Sequence, residues 1–238
     1  MFTHLHTHSH YSLLDGLPKI SDFVKAAKAK GFSALALTDH GSMHGALEFY
    51  KTCKSEGIKP IIGLETYIAP RGMKSREGRV EDKPFHLTLL AKNFEGYRNL
   101  MKLTSLAHLE GFYYKPRIDF ETLAAHKEGI IALSGCASSE LSGKILSGQI
   151  EAAEQLAKKY RDSLGAENYY IEIQRQPIRG DDDFGRRREQ LNQGLLSLAQ
   201  KLDIPIVGTA DSHYLDSEDA EAQDILVCVE TGKTVQDT

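Results

Sequence analysis

Short apolar runs alternate with amphipathic stretches along most of this chain. The apolar runs are rich in aliphatic and β-branched residues and are bounded by glycine, proline and polar residues, a pattern typical of buried strands. The stretches between them carry apolar side chains at helical spacing, as in 22–30, where Ser21 is placed to cap a helix and Gly31 to end it. The pattern predicts strands at 2–7, 32–38, 59–69, 85–91, 128–134, 169–173 and 204–209, and helices at 22–30, 42–56, 94–108, 149–164, 184–202 and 217–229.

The alternation of strands and helices indicates the fold class. Seven strands separated mostly by helices predict an α/β protein with a parallel sheet, because parallel neighbours need long crossover connections. In a chain of 238 residues, such a sheet closes most economically as a barrel. The charged, glycine-containing stretch 71–83 is predicted to be a loop. Functional sites of such folds form at the carboxyl ends of the strands, so reactive residues are expected to recur there.

The first predicted strand carries four alternating histidines, His4, His6, His8 and His10. Every second side chain of a strand points to the same face, so several imidazoles would lie on one side of it, about 7 Å apart. Imidazole is the commonest nitrogen ligand for transition metals, which favours a metal site. The alternatives are an exposed polar strand and a purification tag, although a tag is usually an unbroken run of histidines.

Residues able to bind metal recur near most of the other predicted strand ends. Taken singly, each has an ordinary explanation: an Asp-His pair is usually a hydrogen-bonded loop, a lone cysteine a small buried hydrophobe, and a lone glutamate a solvated strand residue. Their recurrence at so many strand ends is rare by chance and favours a shared metal site. The candidates are Asp15, His40, Glu65, His86, Cys136, Asp211 and His213.

The composition of the chain excludes several classes of protein. The chain is 41% hydrophobic and 26% charged, which is ordinary for a globular protein, and its apolar runs are too short to span a bilayer. Three widely separated cysteines argue against a disulfide framework, and the first residues do not resemble a signal peptide, so we expect a cytoplasmic protein without membrane contact. A net charge of −4 argues against a protein that wraps duplex DNA unaided.

Several segments together resemble the PHP (polymerase and histidinol phosphatase) superfamily. The resemblance covers essentially the whole chain and is closest to the PHP domains at the N-terminus of bacterial DNA polymerase III alpha subunits. His6-Thr7-His8-Ser9 alone is a weak signal, but its combination with the other segments is highly specific. The matching segments are 6–9, 11–16, 36–41, 57–65, 85–90, 110–117, 132–136 and 211–213.

The resemblance implies a distorted seven-stranded (β/α)7 barrel with a metal cleft at the C-terminal ends of the strands. It also implies up to three divalent metal ions and nine ligands. One ion would be held by His6, His8, Glu65 and Asp211, a second by Glu65, His86 and Cys136 with Glu65 bridging, and a third by Asp15, His40 and His213. His4 departs from many family members, which have Asp there, so we expect it at most to support the ligands.

The ligand types indicate the metals and the chemistry. Mixed imidazole, carboxylate and thiolate ligation suits zinc, manganese or iron better than magnesium or calcium. A cluster of such ions activates water for phosphoester hydrolysis and needs no protein nucleophile. The predicted catalytic residues are therefore His6, His8, Glu65 and Asp211.

Arg117 and His10 are weaker candidates for contact with a substrate phosphate. Arg117 follows the aromatic pair Tyr113-Tyr114, a mix suited to nucleotide stacking and phosphate contact, although a packed loop explains it equally well. His10 lies just beyond the histidine motif. Further basic candidates are Arg175, Arg179 and the run 186–188, for which a solvated helix face is the favoured explanation, whereas His44, His108 and His126 are expected to be surface or packing residues.

The resemblance implies a metal-dependent phosphoesterase, a 3′-5′ exonuclease that proofreads DNA within a bacterial DNA-directed DNA polymerase. Residues 1–238 would be a single PHP domain, an excised N-terminal fragment of a longer subunit that does not polymerise DNA by itself. Its expected partners are the 3′ end of a primer strand, the remaining polymerase domains and other replisome subunits. Two alternatives stay open: a small-molecule phosphatase of the histidinol phosphatase type, and a non-catalytic, metal-stabilised scaffold that braces the polymerase or docks an exonuclease subunit.

Overall fold

A computed structural model describes residues 2–78, 80, 82–175 and 183–237. In this part of the chain the strands are β1 (Ala34–Leu37), β2 (Lys59–Ile68), β3 (Phe85–Ala91), β4 (Arg117–Ile118), β5 (Ile130–Leu133), β6 (Tyr169–Gln174) and β7 (Ile206–Thr209). The helices are α1 (Ile20–Ala29), α2 (Ala46–Glu56), α3 (Phe94–Leu109), α4 (Phe120–Ala125), α5 (Glu140–Leu146), α6 (Ile150–Leu164), α7 (Asp183–Leu202) and α8 (Ala220–Thr231), with a short 3-10 helix at Ser217–Asp219. Among the described residues, no helix is long and apolar enough to cross a membrane.

The strands form one curled sheet. Its order is β1-β2-β3-β5-β6-β7, and β4 pairs with β2 beside this path. Neighbours β1 and β2, β2 and β4, β5 and β6, and β6 and β7 are parallel. The sheet has the curvature of a half-barrel and helices pack against it, which confirms the predicted seven-stranded α/β architecture.

The prediction of a wholly parallel sheet is wrong at β3. This strand runs antiparallel to both β2 and β5. The described residues between β2 and β3 form turns and bends without a helix, so the crossover connection that a parallel return requires is missing from them. As a result, β3 brings its N-terminal end to the edge where β2 and β5 have their carboxyl ends.

The first predicted strand is also corrected. Residues 4–8 run extended between the two ends of the sheet, but their pairing is too sparse to form a strand. On one side the Ala36 N–H donates to the His4 carbonyl at 2.9 Å, and on the other the His8 N–H donates to the Ser212 carbonyl at 2.9 Å. This segment therefore links β1 to the chain beyond β7 and draws the sheet towards a barrel. The two-residue β4 brings the number of strands to seven.

Two apolar clusters hold the helices to the sheet. The larger packs β2, β3, β5 and β6 against α3, α6 and α7, and includes the buried side chains of Leu89, Leu100 and Ile171. The smaller joins α1, β1 and α2 through residues such as Val24 and Phe49. Because these elements are fixed by apolar packing, the polar side chains at one edge of the sheet are held on a rigid base.

Candidate metal centre

The nine predicted ligands converge at one edge of the curled sheet. His6 and His8 come from the extended segment, and most of the others follow strands. Two ligands correct the expectation of carboxyl strand ends: Glu65 lies inside the long strand β2, and His86 lies near the beginning of β3. Because Tyr67 pairs with His86 across this antiparallel ladder, both ligands still reach the same edge.

The carboxylate of Glu65 lies at the centre of the cluster and is buried. Its Oε1 lies 3.2 Å from Nε2 of His6 and 3.0 Å from Nδ1 of His86. Its Oε2 contacts Nδ1 of His40 and lies 3.9 Å from Nε2 of His8. The two oxygens thus face different histidines, an arrangement suited to a bridging ligand.

Cys136 joins the His86 side of the cluster. Its Sγ lies 3.7 Å from Oε1 of Glu65 and 3.7 Å from Nδ1 of His86. The turn before it depends on Gly135, which has a φ of 86° and whose added Cβ would lie 2.7 Å from the His86 carbonyl oxygen. Burial and the carboxylates of Glu65 and Asp211 raise the pKa of the Cys136 thiol well above its usual range, so a thiolate there needs a compensating cation.

Asp211 lies on the other side, between the two histidines of the extended segment. Its Oδ1 is 3.3 Å from Nε2 of His6 and 3.3 Å from Nε2 of His8. The backbone of Asp211 has a φ of 51°, in the left-handed region that non-glycine residues seldom adopt. The following bridge between Ser212 and Thr7 ties this turn to the extended segment.

Asp15 organises a third part of the site. Its Oδ2 lies 2.8 Å from Nε2 of His40 and 3.3 Å from Nε2 of His213. The rings of His40 and His213 each lie with their centroids 4.2 Å from the ring of His8. Asp15, His40 and His213 are therefore connected through the ring of His8 to the part of the cluster that contains His6 and Asp211.

Several nitrogen and oxygen atoms at the centre of the cluster are better placed to bind a cation than to form hydrogen bonds with one another. These atoms are buried and make no hydrogen bond within the described part of the chain; they are Nε2 of His6, Nε2 of His8, Nδ1 of His40, Oε2 of Glu65 and Oδ1 of Asp211. Unsatisfied buried polar atoms are rare and costly, so such a set points to an ion. Three groups have ligand atoms within 4.8 Å of one another: His8, His40 and His213; His6, His8 and Asp211; and His40, Glu65 and His86.

The ionisation of the cluster follows from burial and from its mutual charges. Burial, together with the neighbouring His40 and His213, lowers the pKa of His8 to about 3, which keeps its ring neutral. Burial opposes protonation of His40 as well, but the carboxylates of Glu65 and Asp15 raise the pKa of His40 to about 10. Burial likewise opposes ionisation of Glu65, yet His86 and His40 hold the pKa of its carboxyl well below the usual range. Metal binds the neutral imidazole and the ionised carboxylate, so His8 and Glu65 are in the binding state, whereas His40 has to release its proton when a cation binds.

Glu172 supports the site and was not predicted from the sequence. It is buried in β6, and its Oε1 lies 2.7 Å from Nδ1 of His6. Thr209 donates to the same oxygen, as does Gln174 at 3.1 Å. An Nδ1–H donated to Glu172 leaves Nε2 of His6 directed at Glu65 as an acceptor or ligand. The available signal was a charged residue inside a buried strand.

Asp39, next to His40, is a second supporting carboxylate. It accepts a hydrogen bond from the Ser9 N–H at 2.7 Å and from the Ser12 hydroxyl at 2.8 Å. The Ser12 Oγ lies 2.9 Å from Nδ1 of His8. Asp39 therefore fixes the turn after the extended segment and, through Ser12, the ring of His8.

The other two histidines of the opening motif lie outside the cluster of ligand atoms. The ring of His4 packs edge-on against Phe2 and Phe32, with centroids 4.8 Å and 5.1 Å away. The ring of His10 lies 4.4 Å from that of Tyr11. No described contact joins His4 or His10 to a predicted ligand side chain, so a role for His10 in phosphate contact stays a prediction.

Arg117 has a structural position that differs from its expected contact with phosphate. It is fully buried, and its guanidinium donates to four backbone carbonyls. The acceptors are the carbonyl oxygens of Gly111 at 3.2 Å, Asp82 at 3.3 Å, Met73 at 3.2 Å and Ser75 at 2.7 Å. The sequence predicted a loop around this arginine, where burial cannot be read, whereas in the structure it ties the 71–82 segment to the sheet through Met73, Ser75 and Asp82.

The remaining basic candidates are scattered. Arg186 pairs with Asp183 in the first turn of α7, at 2.6 Å. Arg188 donates to Gln174 at 3.1 Å. Arg179 lies outside the described residues. His44 and His108, expected at the surface, are exposed but line a cleft next to the cluster.

A family model described as the PHP domain matches residues 4–176. The chain belongs to the PHP domain family. This PHP chain is 50% identical over 238 residues to the DNA polymerase III subunit alpha of Treponema pallidum, and 44% identical over 237 residues to that of Borreliella burgdorferi. The alignments cover 99% of the chain and 20% of each relative, so the chain spans about a fifth of the length of these curated relatives.

A solved structure shares the fold of this PHP chain. It is a two-domain protein from Bacteroides vulgatus that contains a predicted PHP-like metal-dependent phosphoesterase. The TM-score is 0.55 at 15% sequence identity, and the match covers 92% of this chain and 55% of that chain. The resemblance to the PHP superfamily and the predicted fold class are therefore both confirmed.

Proposed function

We propose that this PHP domain binds a cluster of divalent metal ions and hydrolyses phosphoesters. The proposal depends on one observation: imidazole nitrogens of His6, His8 and His40 and oxygens of Glu65 and Asp211 face one another in a buried space without hydrogen bonds among the described residues. Such a set is costly unless cations lie between its members.

The contacts support the three predicted ligand sets with one adjustment. His40 contacts Asp15, as the third set requires, but it also contacts Glu65. We therefore place His40 between the second and third sets. The complete set of proposed ligands is His6, His8, Asp15, His40, Glu65, His86, Cys136, Asp211 and His213.

The donor types favour zinc, manganese or iron. Histidine nitrogens dominate the cluster, and one cysteine sulfur, Cys136, joins them. Magnesium and calcium prefer sites made only of oxygen ligands, whereas imidazole and thiolate suit the transition metals.

The chain's residues prepare this site for phosphoester hydrolysis. When bound, a cluster of divalent ions polarises phosphoryl oxygens and activates water. Glu172 and Ser12 hold the Nδ1 sides of His6 and His8, which directs the Nε2 atoms of both histidines inward. Asp15, His40 and His86 line a cleft that opens to solvent, so substrate would approach from their side.

We further propose that the substrate is the 3′ end of a DNA strand and that the domain acts as a 3′-5′ exonuclease in proofreading. It would act in the cytoplasm beside the other domains of a bacterial replicative polymerase and other replisome subunits. Support comes from relatives named DNA polymerase III subunit alpha at 50% and 44% identity. Because the chain carries a net charge of −4, most duplex binding would come from those other domains.

A catalytic role is favoured over a metal-stabilised scaffold by the openness and size of the ligand cluster. A structural zinc site needs only one closed set of four ligands. Here three overlapping groups of candidate ligands lie together, and Asp15, His40 and His86 border an open cleft. Such an arrangement leaves coordination positions accessible to a substrate.

The proposal is tested by incubating the purified chain with a 5′-labelled single-stranded DNA and manganese, zinc or iron. We expect stepwise shortening from the 3′ end, its loss in excess chelator, and a decrease of at least about a hundredfold in His8→Ala, because the metal-supported chemistry is removed. The matched control is His126→Ala, whose ring contacts the Thr122 carbonyl in the helix α4 region. No hydrolysis with any of these metals, or equal rates in both variants, would contradict the proposal.

A further inference from the structure

A cleft of about 440 Å³ adjoins the proposed metal centre and carries groups that metal binding does not use. Its volume lies within the range of small-molecule sites, so it has room for a nucleotide. Three of its lining residues, Asp15, His40 and His86, are proposed ligands. The groups without an assigned role are Ser42, His44, Tyr67, His108 and Lys115.

Lys115 supplies a positive charge at this cleft. Its Nζ lies 5.7 Å from the centroid of the Tyr67 ring, and the same ring lies 5.2 Å from the ring of His86. The ring of Tyr67 therefore neighbours both the Lys115 ammonium and His86, which is a proposed ligand. Its described ion pair is an exposed one with Glu230, at 3.5 Å. Exposed ion pairs contribute little stability, so a phosphate can replace the carboxylate at small cost.

Two exposed imidazoles face the same cleft. The rings of His44 and His108 lie 6.4 Å apart, and Phe112 lies 6.3 Å from His108. Nε2 of His108 is 3.0 Å from the Gly41 carbonyl oxygen, which fixes the orientation of its ring. Flat aromatic rings and a lysine that line the same cleft are the combination that proteins use to bind single-stranded nucleic acids by stacking and phosphate contact.

A buried hydroxyl also lines the cleft. Ser42 is 6% exposed, and its Oγ makes no hydrogen bond within the described part of the chain. Its position depends on Gly41, which has a φ of 60° and whose added Cβ would lie 2.7 Å from Pro116. Gly41 thus lets the Ser42 turn pack against the loop that carries Lys115. An unsatisfied hydroxyl in such a place is suited to an oxygen of a ligand.

We propose that this cleft is a nucleotide-binding subsite for the end of a single DNA strand. Lys115 contacts a backbone phosphate, His44 and His108 present their rings to a base, and Ser42 contacts a sugar or phosphate oxygen. The inference rests on the proposed phosphoesterase function, because the subsite delivers the next phosphate of the strand to His40 and His86. No residue of the subsite is itself a proposed metal ligand.

The test measures binding rather than hydrolysis. The probe is a fluorescent single-stranded oligonucleotide with phosphorothioate linkages, which resist cleavage, and the readout is its anisotropy at several salt concentrations. We expect Lys115→Gln to weaken binding about tenfold, the worth of one charge-assisted hydrogen bond. Its salt slope should fall by about 0.7, the value for one phosphate contact on a single strand. We expect His108→Ala to weaken binding about tenfold through lost stacking.

The matched control is Lys92→Gln. Lys92 is exposed, follows β3 at the end opposite His86, and donates to Asn168. We expect its binding and salt slope to equal those of the unchanged chain. Circular dichroism and melting temperature establish that all the variants are folded. A deoxynucleoside monophosphate should compete better than inorganic phosphate.

The outcomes separate this inference from the proposed function. Equal binding by Lys115→Gln, His108→Ala and Lys92→Gln would overturn the subsite, even if DNA hydrolysis depends on His8. Equal competition by inorganic phosphate would overturn the nucleotide assignment. Binding that depends on Lys115 and His108 without hydrolysis by any metal would support the subsite and contradict the phosphoesterase proposal.

Discussion

Glu172 contacts the site through its hydrogen bond with His6. The 2.7 Å hydrogen bond to Nδ1 fixes both the tautomer and the plane of the ring, so that Nε2 faces Glu65 and Asp211. Thr88 and Thr209 surround the same carboxylate and hold it in place. A buried carboxylate behind a histidine is how many metal sites orient a ligand and raise its basicity.

Glu172→Gln should therefore weaken metal binding while the chain stays folded. The amide keeps the size of the side chain but removes the negative charge behind His6, and we expect metal affinity to fall about 10- to 100-fold. Competition with a chromophoric zinc chelator measures it. Glu151→Gln, on the exposed side of α6, removes the same charge far from β6 and serves as control. Equal affinities in the two variants would show that Glu172 has no positioning role.

At the scale of elements, the 71–82 segment depends on Arg117. This segment joins β2 to β3, and β3 carries His86 at its beginning. The Arg117 guanidinium satisfies carbonyls of Met73, Ser75 and Asp82 in that segment. The Cζ atom of this guanidinium lies 5.2 Å from the centroid of the Tyr113 ring. The arginine therefore replaces the backbone pairing that a strand or helix would supply.

Replacing Arg117 with Met should destabilise the fold. The substitution removes the Arg117 donor from the carbonyls of Gly111 and Asp82, and leaves those of Met73 and Ser75 with Arg76 as their described donor. We expect a loss of about 2 to 4 kcal/mol in the free energy of unfolding. Urea denaturation measures this loss. The control is Arg98→Met on α3, whose exposed pair with Glu95 should contribute no more than about 0.5 kcal/mol. A loss below about 1 kcal/mol in Arg117→Met would contradict the structural role.

Long elements with a clear hydrophobic pattern were predictable from the sequence. Short elements, and features that depend on contacts between distant residues, were not. The predicted strand 85–91 coincides with β3, and the predicted helix 149–164 differs from α6 by one residue. Helices α4 and α5 and strand β4 have too few residues to show a period. The direction of β3 depends on its connection, and residues 4–8 are held extended by distant partners.

The site shows the same difference between features visible in the sequence and features that depend on distant contacts. The recurrence of metal-binding residue types near strand ends predicted that such side chains converge, and the resemblance to the PHP superfamily selected the nine. Their role as ligands stays a prediction. Glu172 was missed because a charged residue inside a buried strand indicates a buried carboxylate but not which side chain it contacts. For Arg117 the sequence left phosphate contact and a packed loop open, because burial of a loop arginine depends on carbonyls from distant residues.

At the scale of the whole molecule, one rigid base holds both the cluster of proposed ligands and the adjoining cleft. The curled sheet brings together residues from the extended segment, four loops or turns and two strands. We propose that residues 1–238 form a single PHP domain, the N-terminal part of a longer polymerase subunit, because the relatives it matches are about five times as long.

The central claim is that this edge of the sheet holds divalent cations, and the metal content of the purified chain tests it most directly. After incubation with zinc, manganese or iron and exhaustive dialysis, mass spectrometry should find about three ions per chain, in line with nine ligands. Glu65→Gln should lose about two of them, because its carboxylate faces both the His6 and the His86 sides. Glu151→Gln should lose none. A folded chain that retains no stoichiometric metal, or a Glu65→Gln variant that retains as much as Glu151→Gln, would contradict the account.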